Sequence, residues 1–153
     1  MSASWMQPIA GRLEQSRRGV EQVASQISPD NWEKPSGYAG WSFKDQLSHV
    51  GDSHTRLQSV LRAILGGRDP DFSQFLRIDE INEEDRRRNL SVPVEELQTA
   101  YAERSQETLR VVSELTDEHS NFSLGPMTLG QALQGFAMHD SAHLEQLKKA
   151  LQA

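Results

Sequence analysis

Five histidines, His49, His54, His119, His139 and His143, are the side chains of this 153-residue sequence most suited to chemistry, because it contains no cysteine. Without Cys there is no disulfide, no protein thiolate nucleophile and no Cys-ligated metal. A metal must then sit on His, Asp or Glu, and any thiol chemistry must use a thiol from outside. His139 and His143 stand four residues apart in HDSAH. On a helix that spacing places both on one face, where two neutral imidazoles can turn toward one ion. Two histidines so spaced also arise by chance, so a third ligand is needed, and His49 offers one. His119 lies in the polar loop DEHSN and is given no chemical role.

The elements that must position these side chains read as helices. Four segments show three- and four-residue apolar spacing, and none shows a convincing strand alternation. The first carries Ile9, Leu13, Ser16, Val20, Val23 and Ile27. Pro8 opens it, and the Ser28-Pro29 step ends it. The second starts at Ser42, with Asp45 completing a capping-box-like pair. It has Phe43, Leu47, Val50, Leu57, Leu61 and Ile64 on one face and stops at Gly66-Gly67. The third runs from about Ser91 to Leu115. The fourth opens at Thr128, with Gln131 at the capping-box position, and carries the stripe Leu129, Leu133, Phe136, Leu144, Leu147, Leu151. Residues 28–41 and 116–127 are loops of moderate length, whereas 66–90 is a long crossing segment. Within that segment DEINEEDRRRN (79–89) forms at most a short solvated helix. The expectation is an all-α chain, residues 1–153 forming a single four-helix-bundle domain.

Helical rise supplies a geometric test. His49 lies about 10 Å along its helix from Ser42, and His143 about 12 Å from Leu151 at the other end of the fourth. If those two helices run antiparallel, the three imidazoles share a level; if parallel, they are offset by roughly 5–12 Å. The long 66–90 connection lets the third helix run parallel to the second, so that the fourth returns antiparallel. An up-down-down-up bundle, with its crossover between helices 2 and 3, therefore assembles the three histidines; an up-down-up-down bundle does so less easily.

Composition narrows the classes. Hydrophobic residues make up 36% and charged residues 25% of the chain, which excludes collagen-like, low-complexity and wholly disordered chains. The formal charge of −6 argues against a general electrostatic footprint for nucleic acid. No apolar run approaches a membrane span, and MSASWMQPIAGRLEQ has neither the basic nor the apolar region of a signal peptide. The expected setting is cytoplasmic, with no nucleic-acid or membrane partner.

GWSFKDQLSHV resembles the W-[ST]-x-x-(D/E)-x-L-x-H-(L/V) signature of the DinB-like superfamily. MHDSAHLEQL resembles its second signature, H-D-x-x-H-x-x-Q-(L/I), and SPDNWEKPSGYAGWS resembles the usual lead-in. The resemblance extends, in order and spacing, over the whole chain. It implies an up-down-down-up four-helix bundle, often a homodimer, with His49, His139 and His143 as ligands of a divalent metal, zinc or nickel. Relatives of this type include mycothiol-dependent maleylpyruvate isomerase-like proteins, bacillithiol S-transferases and a hydrolase-like group protecting against a genotoxin. The implied function is a metal-dependent thiol transferase or hydrolase, activating a low-molecular-weight thiol or water against an electrophilic small molecule. The alternative is a non-catalytic, stress-related module in which the metal clamps two helices.

The remaining polar residues are read more simply. Trp41 packs over the bundle end or stacks on a substrate, and capping accounts for Asp45 beside Lys44. Gln146 is available to order a ligand or a dimer contact. Arg86-Arg87-Arg88 is a solvated stretch balanced by Glu83, Glu84 and Asp85. His54 and Asp140 fall within the apolar stripes of their helices, where an unpartnered charge costs several kcal/mol. They are expected to contact each other behind the metal ligands. The other placements for Asp140 are a hydrogen bond from a ligand histidine, or Arg12 or Arg17 on the first helix, and the other role for His54 is that of a fourth metal ligand.

Overall fold

The computed structural model describes residues 3–153. Among them are five α-helices and two short strand pairs. Helix α1 spans Gln7–Gln26, with Pro8 in its first turn, and ends before Pro29 as the proline requires. Strands β1 (Pro35–Tyr38) and β2 (Trp41–Ser42) pair antiparallel and deliver the chain into α2, Phe43–Leu65. There the expected capping box is formed in full. The Asp45 N–H donates to the Ser42 hydroxyl, and the Ser42 N–H donates to the Asp45 carboxylate, each at 3.0 Å.

The charged crossing segment is ordered into α3, Ile78–Asn89, which has no buried residue. Helix α4 covers Val94–Val112, starting later than Ser91 because Pro93 and the residue before it cannot continue a helix, and ending earlier than Leu115. Strands β3 (Ser123–Leu124) and β4 (Met127–Thr128) form a second hairpin leading into α5, Leu129–Lys148, whose first turn carries the Thr128–Gln131 box. The two hairpins are the departure from the all-α expectation, and they are entry turns to the two histidine-bearing helices.

Two apolar clusters stack along the bundle and give the helices their register. One joins Ile9 and Leu13 of α1 to Val60, Leu61 and Ile64 of α2, Val111 and Val112 of α4, and Leu129 and Leu133 of α5. The other joins Val20 and Val23 of α1 to Phe43, Leu47 and Val50 of α2, Leu97 and Tyr101 of α4, and Leu144 and Leu147 of α5. Residue numbers therefore rise together along α2 and α4, and fall along α2 as they rise along α5. Among the described residues no helix is long and apolar enough to cross a membrane.

Candidate metal centre

His49 is on the second turn of α2, and His139 and His143 are on successive turns of α5, where the opposed numbering of the two helices brings them level. The Nε2 atoms of His49 and His139 are 3.1 Å apart, and those of His139 and His143 are 3.2 Å apart. One nitrogen from each ring lies within 4.8 Å of the others. Two ligands of one tetrahedral zinc ion, each about 2.05 Å from it, are separated by about 3.3 Å. The donor set fits a divalent ion that accepts imidazole nitrogen, and these three histidines could bind one.

The surroundings keep the rings in the ligating form. Burial, reinforced by His143 and His139, pushes His49 down to about 3. Burial and His139 push His143 down to about 4, and burial also lowers His139. At neutral pH all three are uncharged and carry a free lone pair. Gln46 selects which nitrogen of His143 bears it. The Gln46 carboxamide oxygen lies 2.8 Å from His143 Nδ1 and can only accept, so Nδ1 carries the proton and Nε2 faces the other two rings. Gln46→Leu should therefore weaken metal binding roughly 10–100-fold at nearly constant side-chain volume, the usual cost of losing such an orienting partner. A chelator-competition titration measures it; wild-type affinity would refute the role.

Gln46 is a residue that the sequence reading passed over. The available signal was a polar side chain three residues before His49, hence one turn away, on a helix otherwise apolar in that stripe. Tyr38 was also passed over. The β1–β2 hairpin brings its ring to 5.4 Å from His143 and 5.3 Å from Trp41. Trp41 is half-buried and stands 5.0 Å from the ring of His49, so it packs on the site as well as at the end of the bundle.

Behind the three rings lies the expected polar contact. His54 Nε2 is 3.0 Å from Asp140 Oδ2, and both residues are essentially sealed from solvent. His54 Nδ1 meets the Thr108 hydroxyl at 2.9 Å, and Gln58 Nε2 donates to the same hydroxyl and to the Arg104 carbonyl. Arg17 is instead engaged by Glu14 and Glu21.

The other candidates resolve into structure. His119 Nδ1 accepts from the Thr116 N–H and caps a short turn. Lys44 is buried and donates to the Leu90 carbonyl. The Gln146 side-chain oxygen accepts from Lys149. Arg86 and Arg87 pair with Glu83, and Arg88 pairs with Asp85, as the charge balance anticipates.

His49 and His139 also line a cavity of about 510 Å³ between α2, α5 and the crossing segment. Leu57, Val60, Phe72, Phe75, Leu129 and Phe136 contribute much of its wall. Arg56 reaches it too, held by Asp85 at 2.6 Å and Asn82 at 3.1 Å. A site of three neutral nitrogens opening onto a cavity of small-molecule size can hold an ion and present it to a ligand.

Neither a curated protein nor a solved structure matches the chain. The family model of the DinB superfamily matches residues 12–147, a span that contains all three histidines and the five α-helices except residues 7–11 of α1 and Lys148 of α5, and the chain belongs to that superfamily.

Proposed function

We propose that the protein is a single-domain, metal-dependent enzyme with the up-down-down-up bundle of its superfamily, using His49, His139 and His143 as ligands of one divalent ion, zinc or nickel. The observation that carries this reading is the cavity: two of the three ligands form part of its wall. A purely structural ion is closed off by protein ligands, whereas a catalytic one keeps a position open to substrate. An ion on three imidazoles supplies Lewis acidity, which lowers the pKa of water or a thiol placed in its open position. The protein contributes neutral rings held by burial, a His143 tautomer set by Gln46, and aromatic cover from Trp41 and from Tyr38, which also lines the cavity. The reaction is transfer of a low-molecular-weight thiol, or of water, to an electrophilic small molecule. The absence of cysteine supports the thiol version, since no protein thiol competes for the ion. A cytoplasmic homodimer, as in relatives of this type, is part of the proposal.

Untagged, metal-loaded protein screened with epoxide and activated-halide electrophiles, with several low-molecular-weight thiols and with water alone, should show turnover that follows metal content. No turnover with any of them at full loading would return the ion to the role of a clamp between α2 and α5.

A further inference from the structure

The rim of the cavity beside the histidines carries a helical glycine that neither backbone angle nor a close neighbour requires. Gly135 lies within α5, one turn before His139, and both line the cavity. Glycine inside a helix is disfavoured relative to alanine, so it normally marks an unusual backbone angle or a close neighbour. Gly135 has neither: its φ is not in the left-handed range, and a Cβ built there meets nothing within 4 Å. Gly19 shows the contrast, since its Cβ would fall 2.6 Å from Leu144 Cδ2. Gly11 has open space too and both glycines are exposed, but of the two only Gly135 lines this cavity. What the missing side chain at 135 leaves free is room at the solvent-facing rim of the cavity, one turn from a ligand histidine.

The chemistry of the wall states what the room suits. Phe72, Phe75 and Phe136 present aromatic surface, and Leu57, Val60 and Leu129 present aliphatic surface. Arg56 is the charged side chain of the lining, and Asp85 already neutralises it. Away from the histidines an anionic molecule would meet no free cation, because Arg56 is already paired with Asp85, whereas a flat apolar molecule would be held on several faces.

Building on the reading that the three histidines hold a catalytic ion, we propose that the substrate is a neutral, ring-bearing apolar small molecule. It lies along α5 across Gly135, with its reactive end at His49 and His139, and Gly135 sets the bulk that the site admits.

The test uses N-phenyl-1-naphthylamine, a neutral two-ring fluorophore, titrated into metal-loaded protein. Wild type and Gly135→Ala should both bind it, while Gly135→Phe should weaken binding at least roughly tenfold, the scale of steric discrimination in an apolar pocket. Metal content and melting temperature should stay at the wild-type level in Gly135→Phe. A second measurement needs no variant: the ¹³C-methyl signal of Met127, which lines the cavity, should shift on probe addition, while that of Met138, which does not line it, should not. If Gly135→Phe fails to fold, the Met127 result decides. Wild-type affinity in folded Gly135→Phe, or an unmoved Met127 signal, overturns the proposal. No turnover enters these measurements, so failure of the enzyme reading, or of metal loading, would appear separately from failure of the pocket.

Discussion

Alanine in place of His49, His139 or His143 should in each case abolish stoichiometric metal binding, whereas His119→Ala should retain it in full. The three Nε2 atoms form one donor set, with separations of 3.1 and 3.2 Å linking them through His139. Two imidazoles cannot hold an ion as three do, and loss of even an orienting neighbour costs roughly 10–100-fold, so loss of a ligand must cost more. The fold should survive each change. The rings are neutral and the helices are held by two apolar clusters to which none of the three contributes. Elemental analysis of untagged protein, alongside far-UV circular dichroism, checks both halves of the expectation. Full metal in folded His49→Ala would refute the three-histidine site.

The largest loss of stability should come from Asp140→Ala. Asp140 is wholly buried and meets His54, which is 1% exposed, at 3.0 Å. Removing one member of a buried, hydrogen-bonded polar pair strands the other and typically costs about 3–5 kcal/mol. At about 2–4 °C per kcal/mol for a domain of this size, the melting temperature should fall by roughly 6–20 °C. Replacing both partners with leucine should cost less than the single alanine, because the stranded group disappears with its partner. Thermal melts of the metal-free forms measure this. A double variant as damaged as the sum of the two singles would show that the residues do not act as a pair.

The sequence reading was most informative where the governing interactions are local or periodic. The Ser42–Asp45 and Thr128–Gln131 boxes are three-residue patterns, and both are present. His54 and Asp140 could be paired because each interrupts an apolar stripe at a level computable from helical rise. His49, His139 and His143 came together by the same arithmetic. The hairpins were not legible: strands of two to four residues are too short to display alternation, and β1–β2 contains an irregular register between Pro35 and Tyr38. Tyr38 was lost with its hairpin. Gln46 was lost because a glutamine in a helix is ordinarily a surface residue, and its role depends on a ring 97 positions away. The links from Arg56 to Asp85 and from Asp52 to Asn89 were likewise out of reach, since they depend on where a charged segment settles rather than on its composition.

The way α3 is attached bears on the cooperativity of the molecule. With no side chain in the core, this helix is held by polar links such as Arg56–Asp85, Asn89–Asp52 and Arg86–Asp45, so its adhesion is ionic where that of the other helices is hydrophobic. The Arg56 and Asp85 side chains are only 11% and 14% exposed, so added salt screens this link less than it would an exposed one. The crossing segment is a separate unit of local unfolding, detaching at a free energy below that of the bundle and exchanging its amide hydrogens sooner. Phe72, Phe75, Ile78 and Asn82 of this stretch form one wall of the cavity, and Phe72 also packs against the core. Local opening of α3 would therefore widen one side of the cavity while the helices that carry the histidines stay packed.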